Sequence, residues 1–85
     1  MTGAELRTIR QRLGLTQAQL ALALQRDHTT ISRWERGTLV IDRPSDLAFL
    51  LAHLEAALRT RASTQDDLDT WLKGWMPSTT RLMRA

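Results

Sequence analysis

The sequence contains no cysteine and only two histidines, His28 and His53. Disulfides and thiolate metal sites are excluded, and two imidazoles so far apart in the chain do not make a zinc site. No metal or other cofactor is expected. Lysine is almost absent, since eleven of the twelve basic residues are arginine. No apolar run approaches the roughly 20 residues of a membrane span, and no charged segment followed by an apolar one opens the chain. A cytoplasmic protein is expected, without a membrane partner. Catalytic signatures are missing as well: there is no glycine-rich phosphate loop and no Ser/His/Asp set in a supporting context. Asp66, Asp67 and Asp69 read as the acidic first turn of a helix rather than as a site. An enzyme is not expected.

What is present is positive charge, unevenly spread. An 85-residue chain can build one modest core, buried less completely than in a larger protein, so association with a second copy would help it. Its net charge is +3 with a sequence pI near 11.0. Residues 1 to 43 hold seven arginines against Glu5, Asp27, Glu35 and Asp42, whereas the charges of residues 44 to 85 cancel. All the excess therefore lies in the first half. The planar fork of arginine suits phosphate and guanine better than an ammonium does, although a charge count alone is equally consistent with a solvated basic face.

Helical signals run in order along the chain. Thr2 and Glu5 form a capping-box pair, Leu6, Ile9 and Leu13 recur at helical spacing, and Gly14 supplies a stop, which predicts a helix over 3–13. Thr16 caps a second helix over 17–24, with Leu20, Ala21 and Leu24 on one face. After the turn Gln25-Arg26-Asp27, in which Asp27 can cap the next helix, a third helix runs from His28 until Gly37 ends it. Its inward positions are Ile31 and Trp34, which leaves His28, Thr29, Thr30 and Arg33 facing away. A helix that displays such residues can read base edges in a DNA major groove, where Arg pairs with guanine and Thr offers its methyl to thymine. The pair is a helix-turn-helix, too short to be stable without its neighbours.

Leu39-Val40-Ile41 is either a buried loop or a partner contact. Pro44 fits the first turn of a further helix, in which Leu47, Leu50, Leu51, Leu54 and Leu58 make a core stripe and His53 is an ordinary, partly buried histidine. Arg59 to Ser63 is a polar break, which divides the chain into a DNA-binding domain over 1–62 and a C-terminal segment over 63–85. In that segment Thr64-x-x-Asp67 opens a last helix, Leu68, Trp71, Leu72 and Trp75 share a face, and Pro77 closes it. The two tryptophans either fold back on the bundle or form an interface. The tail from Ser78 to Ala85 is polar and basic, flexible unless a partner or DNA orders it.

Thr16-Gln17-x-x-Leu20-Ala21, followed by Ile31-Ser32-x-Trp34-Glu35-x-Gly37, resembles the lambda-repressor-like (Cro/repressor, XRE) family of helix-turn-helix regulators. The resemblance covers roughly residues 3 to 58. It implies an all-α bundle of about five helices that binds operator DNA as a dimer. By position it implies base-reading by His28, Thr29 and Arg33. It also implies phosphate contacts by Gln17, Thr30, Arg36 and Arg43, and a structural ion pair between Arg10 and Glu35. One departure is Gln25, where the family has Gly for a left-handed turn; a non-Gly residue there costs of order 1 kcal/mol.

The function expected on these grounds is that of a small sequence-specific transcriptional regulator, an autoregulating repressor of phage, plasmid or mobile-element type. It would occupy a palindromic operator as a homodimer and occlude the promoter, and a regulator accompanying an anti-CRISPR gene is a variant of this reading. The dimer surface would be Leu39 to Ile41, the Leu54 to Leu58 end of the fourth helix, or the stripe of Trp71 and Trp75. The alternative is an antitoxin whose C-terminal segment binds a toxin while its N-terminal part represses.

Overall fold

Thr2 starts the first helix by the predicted mechanism: its hydroxyl accepts the Glu5 N–H at 3.1 Å, and the Glu5 carboxylate accepts the Thr2 N–H at 3.3 Å. In the computed structural model, which describes residues 1–61 and 67–75, five helices follow in order. They are α1 (Gly3–Leu13), α2 (Gln17–Leu24), α3 (His28–Arg36), α4 (Pro44–Thr60) and α5 (Leu68–Gly74). The fold is all-α, with no strand among the described residues.

The stops are as local as the starts. Gly14 and Gly37 adopt left-handed backbone with φ of 76° and 75°, so that the residue after each can donate back to a carbonyl of the last turn. Gln25 does the same at φ 56° with a side chain attached. The family's glycine is absent, yet the left-handed turn it serves is kept. At the start of α3, Asp27 occupies the capping position without a side-chain hydrogen bond. Its carbonyl, not its carboxylate, opens the helix by accepting from Thr30 and Ile31.

Helical periodicity sends Leu6, Leu20, Ile31, Leu54 and Leu72 fully inside, with Trp34, Leu24, Leu47 and Leu51 around them. Leu54, a predicted interface residue, has no exposed surface. It fills the centre of the fold, and only Leu58, half-buried, remains available at that end of α4.

The C-terminal helix folds back on α2. It begins later than Thr64 implies: Asp67 is the cap, and its carboxylate accepts the Thr70 N–H at 2.8 Å and the Thr70 hydroxyl at 3.1 Å. Those bonds hold the Asp67 carboxyl below the usual carboxylate range. Thr64, Pro77 and the tail from Ser78 lie outside the described residues. Leu72 joins the core, Gln19 donates to Asp69 at 3.1 Å, and the Trp75 indole donates to the Ala23 carbonyl at 2.9 Å. That carbonyl is in the last turn of α2, where intrahelical donors run out. Trp71 lies beside Trp75, ring centroids 6.4 Å apart, with the Arg61 guanidinium 5.5 Å above it. The helix predicted for the C-terminal segment is thus bound into the same core as residues 1–61.

Gly3 carries a constraint that the sequence does not advertise. A Cβ at this position would lie 2.1 Å from the Trp34 carbonyl oxygen and 2.9 Å from that of Glu35, so α1 meets the end of α3 backbone to backbone. An alanine in a helix ordinarily stabilises by up to ~1 kcal/mol relative to glycine. Here Gly3→Ala is expected to destabilise by about 1–3 kcal/mol, the cost of overpacking. Chemical denaturation checks the sign, and a stabilised variant would show that α1 and α3 are not in contact there.

Candidate nucleic-acid interface

Two helices and a left-handed turn position the candidate site. On α3, Ile31 and Trp34 are buried, while His28, Thr29, Arg33 and Arg36 are exposed. Thr30 is half-buried at the edge of this face. Turned outward are an imidazole, a methyl-bearing hydroxyl and a guanidinium one turn on from Thr29, the donor and apolar groups that base edges in a major groove accept. Arg26, Arg33 and Arg36 form no ion pair with another described residue. Their charge is available to a phosphate backbone.

Orientation of α3 rests on one polar cluster beneath it. The Arg10 Nε donates to Glu35 Oε2 at 2.6 Å and Nη2 donates to Oε1 at 3.0 Å, a fork on both carboxylate oxygens. The third nitrogen, Nη1, donates to the Leu15 carbonyl at 2.9 Å. The Gln17 amide adds a bond to Glu35 Oε1 at 3.1 Å. Side chains of Arg10 and Glu35 are 12% and 3% exposed, so this is an interior pair with its polar atoms satisfied. It joins α1, the following loop, the start of α2 and the last turn of α3. Burial alone would raise the Glu35 carboxyl; bonds from Arg10 and Gln17, with the charges of Arg10 and Arg7, outweigh it and hold the group below the usual range.

The remaining predicted residues are placed as follows. Gln17 stands at the first position of α2, where the helix N-terminus favours an anion, and its amide also braces Glu35. Arg43 immediately precedes α4 and lies 4.0 Å from Asp46, away from the α3 turn in sequence but exposed. Leu39 and Val40 are exposed, and Ile41 is partly buried against the core. Trp71 and Trp75 are half-buried. Sequence reasoning passed over Arg26, exposed in the turn before α3, and the bond from Gln17 to Glu35; the position of Arg26, two residues before the recognition face, was the signal for it.

The helix-turn-helix domain family matches residues 2–64, which is α1 through α4 and the segment after it. The chain belongs to this Cro/XRE-like helix-turn-helix family. Comparison with curated proteins found no match, and neither did comparison with solved structures. Within a helix-turn-helix protein, α3 occupies the place of the recognition helix and α2 that of the helix crossing the backbone. No helix among the described residues is long and apolar enough to cross a membrane.

Removing Glu35 leaves a buried guanidinium unpaired. Glu35→Ala is expected to cost about 3 kcal/mol, which in a domain of this size lowers Tm by about 10 °C or more. Because the Glu35 carboxyl titrates lower in the folded chain than in the unfolded one, its contribution is complete above the ordinary value of about 4.3 and is lost as pH falls through the folded value. The stability gap between wild type and Glu35→Gln is therefore expected to be constant near neutrality and to close in acid. Melting curves across pH check this, and a gap that widens in acid would contradict it.

Proposed function

We propose that this helix-turn-helix protein is a sequence-specific transcriptional repressor that binds a palindromic operator as a homodimer and blocks the promoter by occupying it. The observation that carries the reading is the outward face of α3, where His28, Thr29 and Arg33 are exposed together over a buried Ile31 and Trp34. Arg33 has the reach and fork to take guanine O6 and N7 at once. Gln17, Thr30, Arg36 and Arg43 would hold the phosphates on either side, with Arg26 beside them. These contacts fix register without reading sequence.

A single recognition helix touches too few base pairs to be selective, whereas a dimer places two of them about 34 Å apart on one face of the duplex. Repression by occlusion needs no more than such a dimer; autoregulation, a mobile-element origin, with the anti-CRISPR-associated regulator as its variant, and a cytoplasmic site of action belong to the same proposal. The toxin-binding alternative rested on the C-terminal tryptophans. Both are half-buried and the Trp75 indole is bonded to α2, so these two side chains do not by themselves carry that alternative.

Selection of binding sites from random duplexes tests the assignment. Arg33→Ala is expected to lose preference at one base pair per half-site, at about 1–3 kcal/mol. Arg36→Ala, which does not disturb the Glu35 cluster, is expected to weaken binding evenly across sequences and to reduce its salt dependence. If Arg33→Ala keeps the wild-type preference while Arg36→Ala changes it, the recognition face is wrongly assigned.

A further inference from the structure

The match to the helix-turn-helix family ends at residue 64, and α5 follows it at Leu68–Gly74. This added helix is bonded to both ends of α2, the helix that leads into α3. Near the start of α2, Asp69 accepts from the Gln19 amide at 3.1 Å, and the same Gln19 side chain accepts the Thr16 N–H at 3.0 Å as half of the capping box. At the far end the Trp75 indole donates to the Ala23 carbonyl at 2.9 Å, and between the two bonds Leu72 enters the core.

The end held by Trp75 is the one that turns the chain into α3. There the N–H groups of Gln25 and Arg26 return to the Leu22 and Ala21 carbonyls, and the indole takes the Ala23 carbonyl that they pass over. Ala23 is 1% exposed, so without the indole its carbonyl would stand in the interior away from water, a state that costs more than the bond itself gains. This is also the turn in which Gln25 stands at φ 56°, a left-handed conformation that a residue with a Cβ keeps only where its surroundings over-determine it.

We propose that α5 is a brace for the DNA-contacting pair of helices, with Trp75 the positioning residue that fixes the turn from α2 into α3 and with it the direction of α3. The proposal rests on the reading of α3 as the recognition helix. Trp75 acts through Ala23 and the turn, not by contact with DNA. Arginines on phosphates follow a small rotation of α3 by changing rotamer, whereas a guanidinium or a threonine methyl aimed at one base edge does not. A loosened turn lowers the fraction of molecules in which α3 is correctly set, and selective affinity falls with that fraction. Binding to phosphates alone persists.

Trp75→Phe in the full chain tests this, because it keeps a ring beside Trp71, deletes the indole N–H and changes no charge. At a temperature where both proteins are folded, its affinity for a selected duplex is expected to fall about 5-fold or more, the scale of one lost hydrogen bond. Its affinity for a scrambled duplex, and the salt dependence on both, are expected to match wild type. Leu50→Ala, a truncation on α4, is expected to lower Tm and to change neither affinity. A second readout needs no DNA. In Trp75→Phe, amide exchange at Gln25 and Arg26 is expected to quicken about 5-fold or more, while Gly14 and Leu15, in the matching turn after α1, exchange as in wild type. Selective affinity that Trp75→Phe leaves intact overturns the proposal, as does an equal loss on both duplexes. Exchange that quickens equally at both turns, or at neither, overturns it too, since Trp75 would then serve the whole fold or nothing at that turn. Wild type that does not distinguish the duplexes, with the exchange difference present, would keep the brace and reject the operator reading; selective binding untouched by Trp75→Phe would do the reverse.

Discussion

A single carboxylate in the last turn of α3 holds the arrangement together. Glu35 takes both arms of the Arg10 fork and the Gln17 amide, while the remaining arm of Arg10 takes the Leu15 carbonyl. Three helices and a loop are therefore tied at one point. Such a pair adds little net stability over an apolar replacement, because two charges must leave water to form it. What it adds is direction. An apolar core of leucines tolerates small rotations of a nine-residue helix, whereas a bidentate ion pair fixes the angle at which α3 leaves the bundle. A helix that reads base edges needs that angle fixed, since side-chain reach and hydrogen-bond geometry allow errors of well under a helical turn.

The backbone contact at Gly3 works in the same direction from the other side. With no Cβ between them, the start of α1 lies on the Trp34 and Glu35 carbonyls, so α3 is gripped over its last turn by α1 and by the polar cluster. The first turn of α3 is left with His28 and Thr29 exposed and its cap residue without a side-chain bond. The tertiary contacts thus act on the last turn of α3, while the first turn keeps its polar groups exposed to solvent.

Much of this was legible in the residues. Capping residues and glycine stops are local, and so Thr2, Thr16, Gly14 and Gly37 mark the bounds of α1 to α3 correctly. Helical spacing separates the buried Ile31 and Trp34 from the exposed face between them. What remained hidden depends on tertiary approach. Nothing local distinguishes Gly3 from any glycine near a helix start, and Leu54 looks the same on a helical stripe whether it meets its own chain or another. Whether Trp75 turns to the bundle depends on an acceptor in α2, which the Ala23 carbonyl supplies and the sequence does not reveal.

The central claim is that α3 reads DNA sequence while the surrounding arginines hold the backbone. Its most direct measurement is the affinity for a selected duplex and for a scrambled one, each followed across salt concentration. The account predicts that log affinity falls linearly with log salt for both duplexes, by about 0.9 for each phosphate contacted. The selected duplex should be bound at least about 1,000-fold more tightly than the scrambled one. Affinity that does not change with salt would remove the phosphate contacts, and equal affinity for the two duplexes would remove the recognition helix.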